Sequence, residues 1–196
     1  MQLCALRVGS TLNVTNLAAK CGIAESTARS WLALLETSFI LFLLPSYHDN
    51  LGRRITKSPK LFFYDVGLGA TLMGFTKEAI IKDRLIYNAL FENMAIVDLM
   101  KNFNINGLKP SLSFLRDNNQ NEIDLIIELA GKVIPLEIKA SQTMNSNFFE
   151  ILTWFQEQTG NKQEAVVVYG GDQNQTRAKG KVVSWHKLDA LVESMA

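Results

Sequence analysis

The sequence predicts an α/β protein in two parts: a helix-rich domain over residues 1–75 and a mixed-sheet domain over residues 76–196. Three observations predict it. The first part carries helix signals around one apolar hairpin pattern, whereas the second alternates helix and strand patterns, the order that layers helices on a sheet. Charge changes at the same place: residues 1–75 hold seven Lys+Arg against four Asp+Glu, net +3, and residues 76–196 hold 13 against 15, net −2. Hydrophobic residues make up 47% of the 196, enough to bury a core and to exclude disordered and fibrous architectures.

In the first part, Asn13 or Thr15 caps a helix through Leu17, Ala18 and Ala19, because a side-chain oxygen there satisfies a free backbone N–H. Gly22 ends that helix. Ser26 and Thr27 open a second one, with Trp31, Leu34 and Leu35 on one face. Phe39–Leu44 and Leu61–Tyr64 follow as strands, joined by the turn formers Asp49, Asn50 and Gly52. Arg53, Arg54, Lys57 and Lys60 cluster around this connection. Helix, short turn, helix and basic hairpin is the layout of a winged helix-turn-helix. Arg29, between Ser26 and Ser30, then faces a major groove, and the four cations of the wing reach phosphates. With one basic residue on its second helix, the same layout also serves as a protein–protein module.

In the second part, residues 82–100 form an amphipathic helix with Leu85, Ala89, Ala95, Ile96 and Leu99 on its buried side and Glu92 within it. Ser113–Arg116, Glu122–Glu128, Val133–Lys139, Ala165–Tyr169 and Lys181–Ser184 read as strands. A helix spans Asn147–Gln158, where Phe148, Phe149, Trp154 and Phe155 pack a core, and another starts at Lys187. The two central strands are joined by Leu129-Ala130-Gly131-Lys132. If Ala130-Gly131 is a two-residue loop, Asp124 lies opposite Glu137 and Glu122 opposite Lys139. Two facing carboxylates repel unless a cation lies between them. A hard divalent cation, Mg²⁺ or Mn²⁺, meets that need, with Lys139 orienting water or phosphate and Glu92 a further ligand if its helix packs beside the hairpin. Arg116, beside the polar loop Asp117–Asn121, contacts a phosphate or pairs with Asp117. A cross-strand salt bridge on a solvated face explains the same spacing without any metal.

Asp124, twelve residues, then Glu137-Ile138-Lys139 resembles the PD-(D/E)XK nuclease superfamily. Over nearly its whole length the chain also resembles the DUF4143 family, a C-terminal region of AAA-type ATPases. The matching segments are Leu32–Glu36, Lys57-Ser58-Pro59-Lys60-Leu61-Phe62-Phe63-Tyr64-Asp65-Val66-Gly67-Leu68, Leu90-Phe91-Glu92-Asn93, Glu122–Leu125 and Leu136–Ser141. The resemblance implies a winged helix followed by a restriction-endonuclease-like domain, with Glu92, Asp124, Glu137 and Lys139 in the nuclease-type positions. It implies DNA as a partner, and an AAA-type ATPase domain as a possible second one.

The exclusions are clear. A formal charge of +1 gives no global field toward nucleic acid or membrane. The apolar run Phe39–Pro45 is far short of the roughly 20 residues a spanning helix needs. Cys4 and Cys21 are too few for a disulfide scaffold, are expected in the helical core, and suit a reducing cytoplasm. His48 and His186 lack the neighbours of a zinc site or triad. Gly67–Gly74 fails the phosphate-loop spacings, so no nucleotide site is expected, and Asp65 caps the turn before it. Two function classes remain: a metal-dependent phosphodiesterase module, and a non-catalytic DNA- or partner-binding module of an ATPase.

Overall fold

The computed structural model describes residues 1–47 and 58–195. Their chain forms two compact units, 1–45 with 58–93, and 46–47 with 94–195. Within the described residues, no helix is long and apolar enough to cross a membrane.

The first unit contains α1 (Gln2–Ala5), α2 (Val14–Cys21), α3 (Glu25–Thr37), β1 (Leu41–Leu44), β2 (Lys60–Phe63), α4 (Val66–Met73), α5 (Lys77–Lys82) and the start of α6 (Arg84–Ile105). Side chains cap α2 and α4 where the sequence calls for it. Asn13 Oδ1 accepts the Asn16 N–H at 2.8 Å, and Asp65 Oδ1 accepts the Leu68 N–H at 2.9 Å. β1 and β2 pair antiparallel from Leu41↔Phe63 to Leu44↔Lys60. The other edge of β2 is occupied by Gly9, Ser10 and Leu12, which bond to Leu61 and Pro59. All four β2 residues are therefore buried, Lys60 included.

Three expected burial patterns change. On α3, Ala28 and Leu32 face the core, one helical turn apart, and leave Trp31 54% and Leu34 63% exposed. Leu85 is 82% exposed, because α6 reaches packed surroundings only from Leu90 onward. Cys4 is buried, and that burial pushes its thiol up, but Cys21 is exposed at the end of α2.

The first unit also runs further than Phe75. Asn93 explains why. It is fully buried, donates Nδ2–H to the Phe63 carbonyl at 2.8 Å and accepts the Phe63 N–H at 3.0 Å. This two-point clamp ties the first half of α6 to the end of β2. Asn93→Ala should leave two buried backbone groups unsatisfied, at roughly 1–3 kcal/mol each. Hydrogen exchange should show the Phe63 amide deprotected by more than tenfold; an unchanged rate would show that the clamp carries no stability.

The second unit holds, among the described residues, a six-stranded mixed sheet in the order β3-β4-β5-β6-β8-β7. Its strands are β3 (Ser111–Arg116), β4 (Glu122–Leu129), β5 (Lys132–Lys139), β6 (Val166–Tyr169), β7 (Gln175–Arg177) and β8 (Gly180–Ser184). β3, β4 and β5 form an antiparallel meander; β5, β6 and β8 run parallel; β7 lies antiparallel on the edge. α7 (Glu150–Thr159) covers one face, where Phe149, Leu152 and Phe155 pack on Ile126, Val167 and Val182. α8 (Leu188–Glu193) closes the described chain. The β4–β5 loop is the two-residue turn expected, with φ of +51° at Ala130 and +76° at Gly131, the positive pair that a type I′ hairpin requires. The register runs from Leu129↔Lys132 to Leu125↔Leu136. That register sets the candidate site.

Candidate functional site

The β4–β5 ladder stops at Leu125↔Leu136, and a side chain takes over from the backbone. Asp124 Oδ2 accepts the Ile138 N–H at 2.8 Å, which fixes the carboxylate against β5. Glu137 and Lys139 project from the next positions of β5, which pair with Val167 and Tyr169 of β6. The Lys139 ammonium forms a salt bridge with Glu137 and stands 4.0 Å from Asp124 Oδ2. Both carboxylate side chains are largely buried, whereas the lysine is about one-third exposed. The structure thus brings Asp124, Glu137 and Lys139 together, with one cation serving two anions. This is the electrostatic solution that two neighbouring carboxylates require.

Arg116 and Glu122 continue the charged cluster toward β3. A register irregularity between Ser113 and Leu115 sets Arg116 opposite Glu122, and Arg116 Nε lies 3.4 Å from Glu122 Oε2. Arg116 also donates to Gln120. Asp117 does not pair with Arg116; it accepts the Asn119 and Asn121 N–H groups at 2.8 and 2.9 Å and organises the loop.

Glu92 is engaged elsewhere. It receives the Lys60 ammonium at 2.9 Å, inside the first unit, with side-chain exposures of 14% and 1% respectively. The reason is local: β2 buries Lys60, and a buried ammonium demands an anion. Lys60 is accordingly no surface phosphate contact. Arg29 is exposed but held by Glu25 at 2.5 Å, and a Thr15 hydrogen bond together with this guanidinium holds the Glu25 carboxyl below its usual range. Arg53, Arg54 and Lys57 lie outside the described residues.

Among the described residues, no group of three or more His, Cys, Asp and Glu is arranged to hold a metal. Asp124 and Glu137 form a smaller donor set of two carboxylates already converging on a cation. Two carboxylates with waters filling the remaining positions are a common way to hold Mg²⁺. The residues present fit such an ion, provided that Lys139 yields its place.

Residues 87–188 match the model of a domain of unknown function, DUF4143. The chain belongs to the DUF4143 family. The matched DUF4143 region contains Glu92, Asp124, Glu137 and Lys139. Residues 1–79 match a second domain of unknown function, DUF8612. Two curated relatives, uncharacterized protein Rv2008c of Mycobacterium tuberculosis and uncharacterized protein Mb2031c of Mycobacterium bovis, are each 28% identical over 136 residues. The alignment covers 69% of this chain and 30% of each relative. The chain thus matches less than a third of these relatives' length.

What sequence reasoning missed is the partnership between a segment in the DUF8612 match and one in the DUF4143 match. Lys60 and Phe63 lie in one segment, Glu92 and Asn93 in the other, and each pair is in contact. The signal was available as a lysine set in a fully apolar strand, Lys60-Leu61-Phe62-Phe63, which calls for a buried counter-ion.

Proposed function

We propose that the DUF4143 region is a restriction-endonuclease-like domain acting on nucleic-acid phosphodiester bonds, joined to an N-terminal winged helix. The convergence of Asp124, Glu137 and Lys139 on adjacent strands of a mixed sheet carries this reading. A divalent cation, Mg²⁺ or Mn²⁺, held by Asp124 and Glu137 would supply Lewis-acid charge at the phosphodiester. The Ile138 N–H holds the Asp124 carboxylate in place, so that Asp124 and Glu137 together would hold the ion. Lys139 would give up its salt bridge to such an ion and donate instead to a phosphate oxygen, where negative charge grows during displacement. Arg116, paired with Glu122 and Gln120, would contact a neighbouring phosphate.

Plasmid and linear DNA incubated with Mg²⁺ or Mn²⁺ test the reading. Cleavage is expected, and is expected to fall at least ~10²-fold in Asp124→Ala, the scale of removing one transition-state stabiliser. Cleavage that survives Asp124→Ala would end it.

A second reading has its own observation. α3 exposes Trp31 and Leu34, and Arg29 is occupied by Glu25, which suits a protein partner better than a major groove. In this reading the chain is a non-catalytic regulatory module of an AAA-type ATPase, and Lys139 permanently neutralises the carboxylate pair. Wild-type protein that binds DNA or an ATPase yet never cleaves would support it.

A further inference from the structure

We infer that a cleft at the far end of the sheet, between α7 and the β7–β8 turn, is a phosphate-binding subsite. It has a volume of about 360 Å³, and Lys162, Arg177 and Lys179 line it, with Gln156 and Glu164. Its charge is one-sided. Glu164 is already neutralised by Lys181 at 2.9 Å, whereas Lys162, Arg177 and Lys179 pair with no carboxylate among the described residues. Three positive charges therefore face one opening.

The wall carrying two of them is held in place. Gly180 has φ of +145°, and a Cβ there would lie 2.2 Å from the Ala165 carbonyl oxygen, so β8 begins in direct backbone contact with β6. The Lys181 N–H donates to that same carbonyl at 2.9 Å. On β7, the Arg177 Nε and Nη2 both donate to Gln175 Oε1, at 3.0 and 2.6 Å. This holds one edge of the guanidinium and leaves its other N–H groups to a ligand. A planar, pre-oriented guanidinium flanked by two lysines matches a phosphate group, the anion that such forks bind bidentately.

The cleft is not the carboxylate site. It opens at the Ala165 and Gly180 ends of β6 and β8, whereas Lys139 is in register with Tyr169, at the other end of β6. Positive charge on β7 also has a simpler use, since charged side chains on an edge strand discourage pairing with other sheets. Charge reversal separates the two, because glutamate guards an edge as well as lysine does.

The phosphate comes either from a nucleic-acid strand, which rests on the proposed function, or from a free phosphate ion, which does not. Two measurements on the full chain in EDTA test this. The first is fluorescence anisotropy of a labelled 20-bp DNA across a KCl series, for wild type and for Lys162→Gln/Arg177→Gln/Lys179→Gln. About 0.9 unit of salt slope is expected to be lost per phosphate contact, two to three units in the triple variant. The second is an NMR titration of inorganic phosphate, expected to shift the amides of residues 177–181 in wild type and not in Arg177→Glu/Lys179→Glu. Phosphate shifts without DNA binding would keep the subsite and remove the nucleic-acid reading. An unchanged salt slope together with unshifted amides would overturn the subsite.

Discussion

Glu92→Gln, or Lys60→Met alone, should destabilise the first unit by about 3–5 kcal/mol, the cost of leaving one member of a buried ion pair without its partner. Lys60 is the more buried member, at 1% exposure, and its ammonium meets Glu92 at 2.9 Å. Gly9 packs closely on Glu92, since a Cβ there would come within 3.2 Å of Glu92 Oε2. The double replacement Lys60→Met/Glu92→Leu should restore stability to near wild type or above, because apolar residues of similar volume avoid the desolvation of both charges. Urea unfolding followed by Trp31, in a Trp154→Phe/Trp185→Phe background, reads this unit separately. Single variants costing no more than about 1 kcal/mol, as an exposed pair would, contradict a structural role for the pair.

The second large effect is on cleavage, where the choice of substitution at Asp124 matters. Asp124→Ala removes both the charge and the acceptor for the Ile138 N–H. Asp124→Asn keeps an acceptor oxygen and loses only the charge. Both variants are expected to lose cleavage by at least ~10²-fold, but Asp124→Asn should retain the thermal unfolding midpoint of the wild type. Lys139→Met should lose cleavage as well, by removing the phosphate donor. Lys60→Met/Glu92→Leu should keep it, because Glu92 serves the fold in this account. Full activity in Asp124→Asn, assayed on purified protein beside the wild type, would show that the carboxylate charge plays no part in the chemistry.

The hairpin was legible because its register follows from local rules. Ala130-Gly131 accepts two positive φ values, and the side-chain period of two then places Asp124 and Glu137 together. The caps at Asn13 and Asp65 were legible for the same reason: each satisfies an N–H three residues away. Long-range choices were not legible. Glu92 carries the charge expected of a metal ligand, but its carboxylate accepts from the buried Lys60, 32 residues earlier. Trp31, Leu34 and Leu35 share one apolar face by spacing, yet the buried residues of α3 are Ala28 and Leu32. β7 escaped notice because Gln175–Arg177 carries no apolar alternation, being an exposed edge held by its pairing to β8.

Calorimetric titration of Mn²⁺ into the metal-free chain bears most directly on whether Asp124 and Glu137 hold a divalent cation. One Mn²⁺ per chain is predicted for the wild type and for Lys60→Met/Glu92→Leu, and none for Asp124→Asn or Glu137→Gln. No binding to the wild type, or a site that persists in Asp124→Asn, would contradict the account.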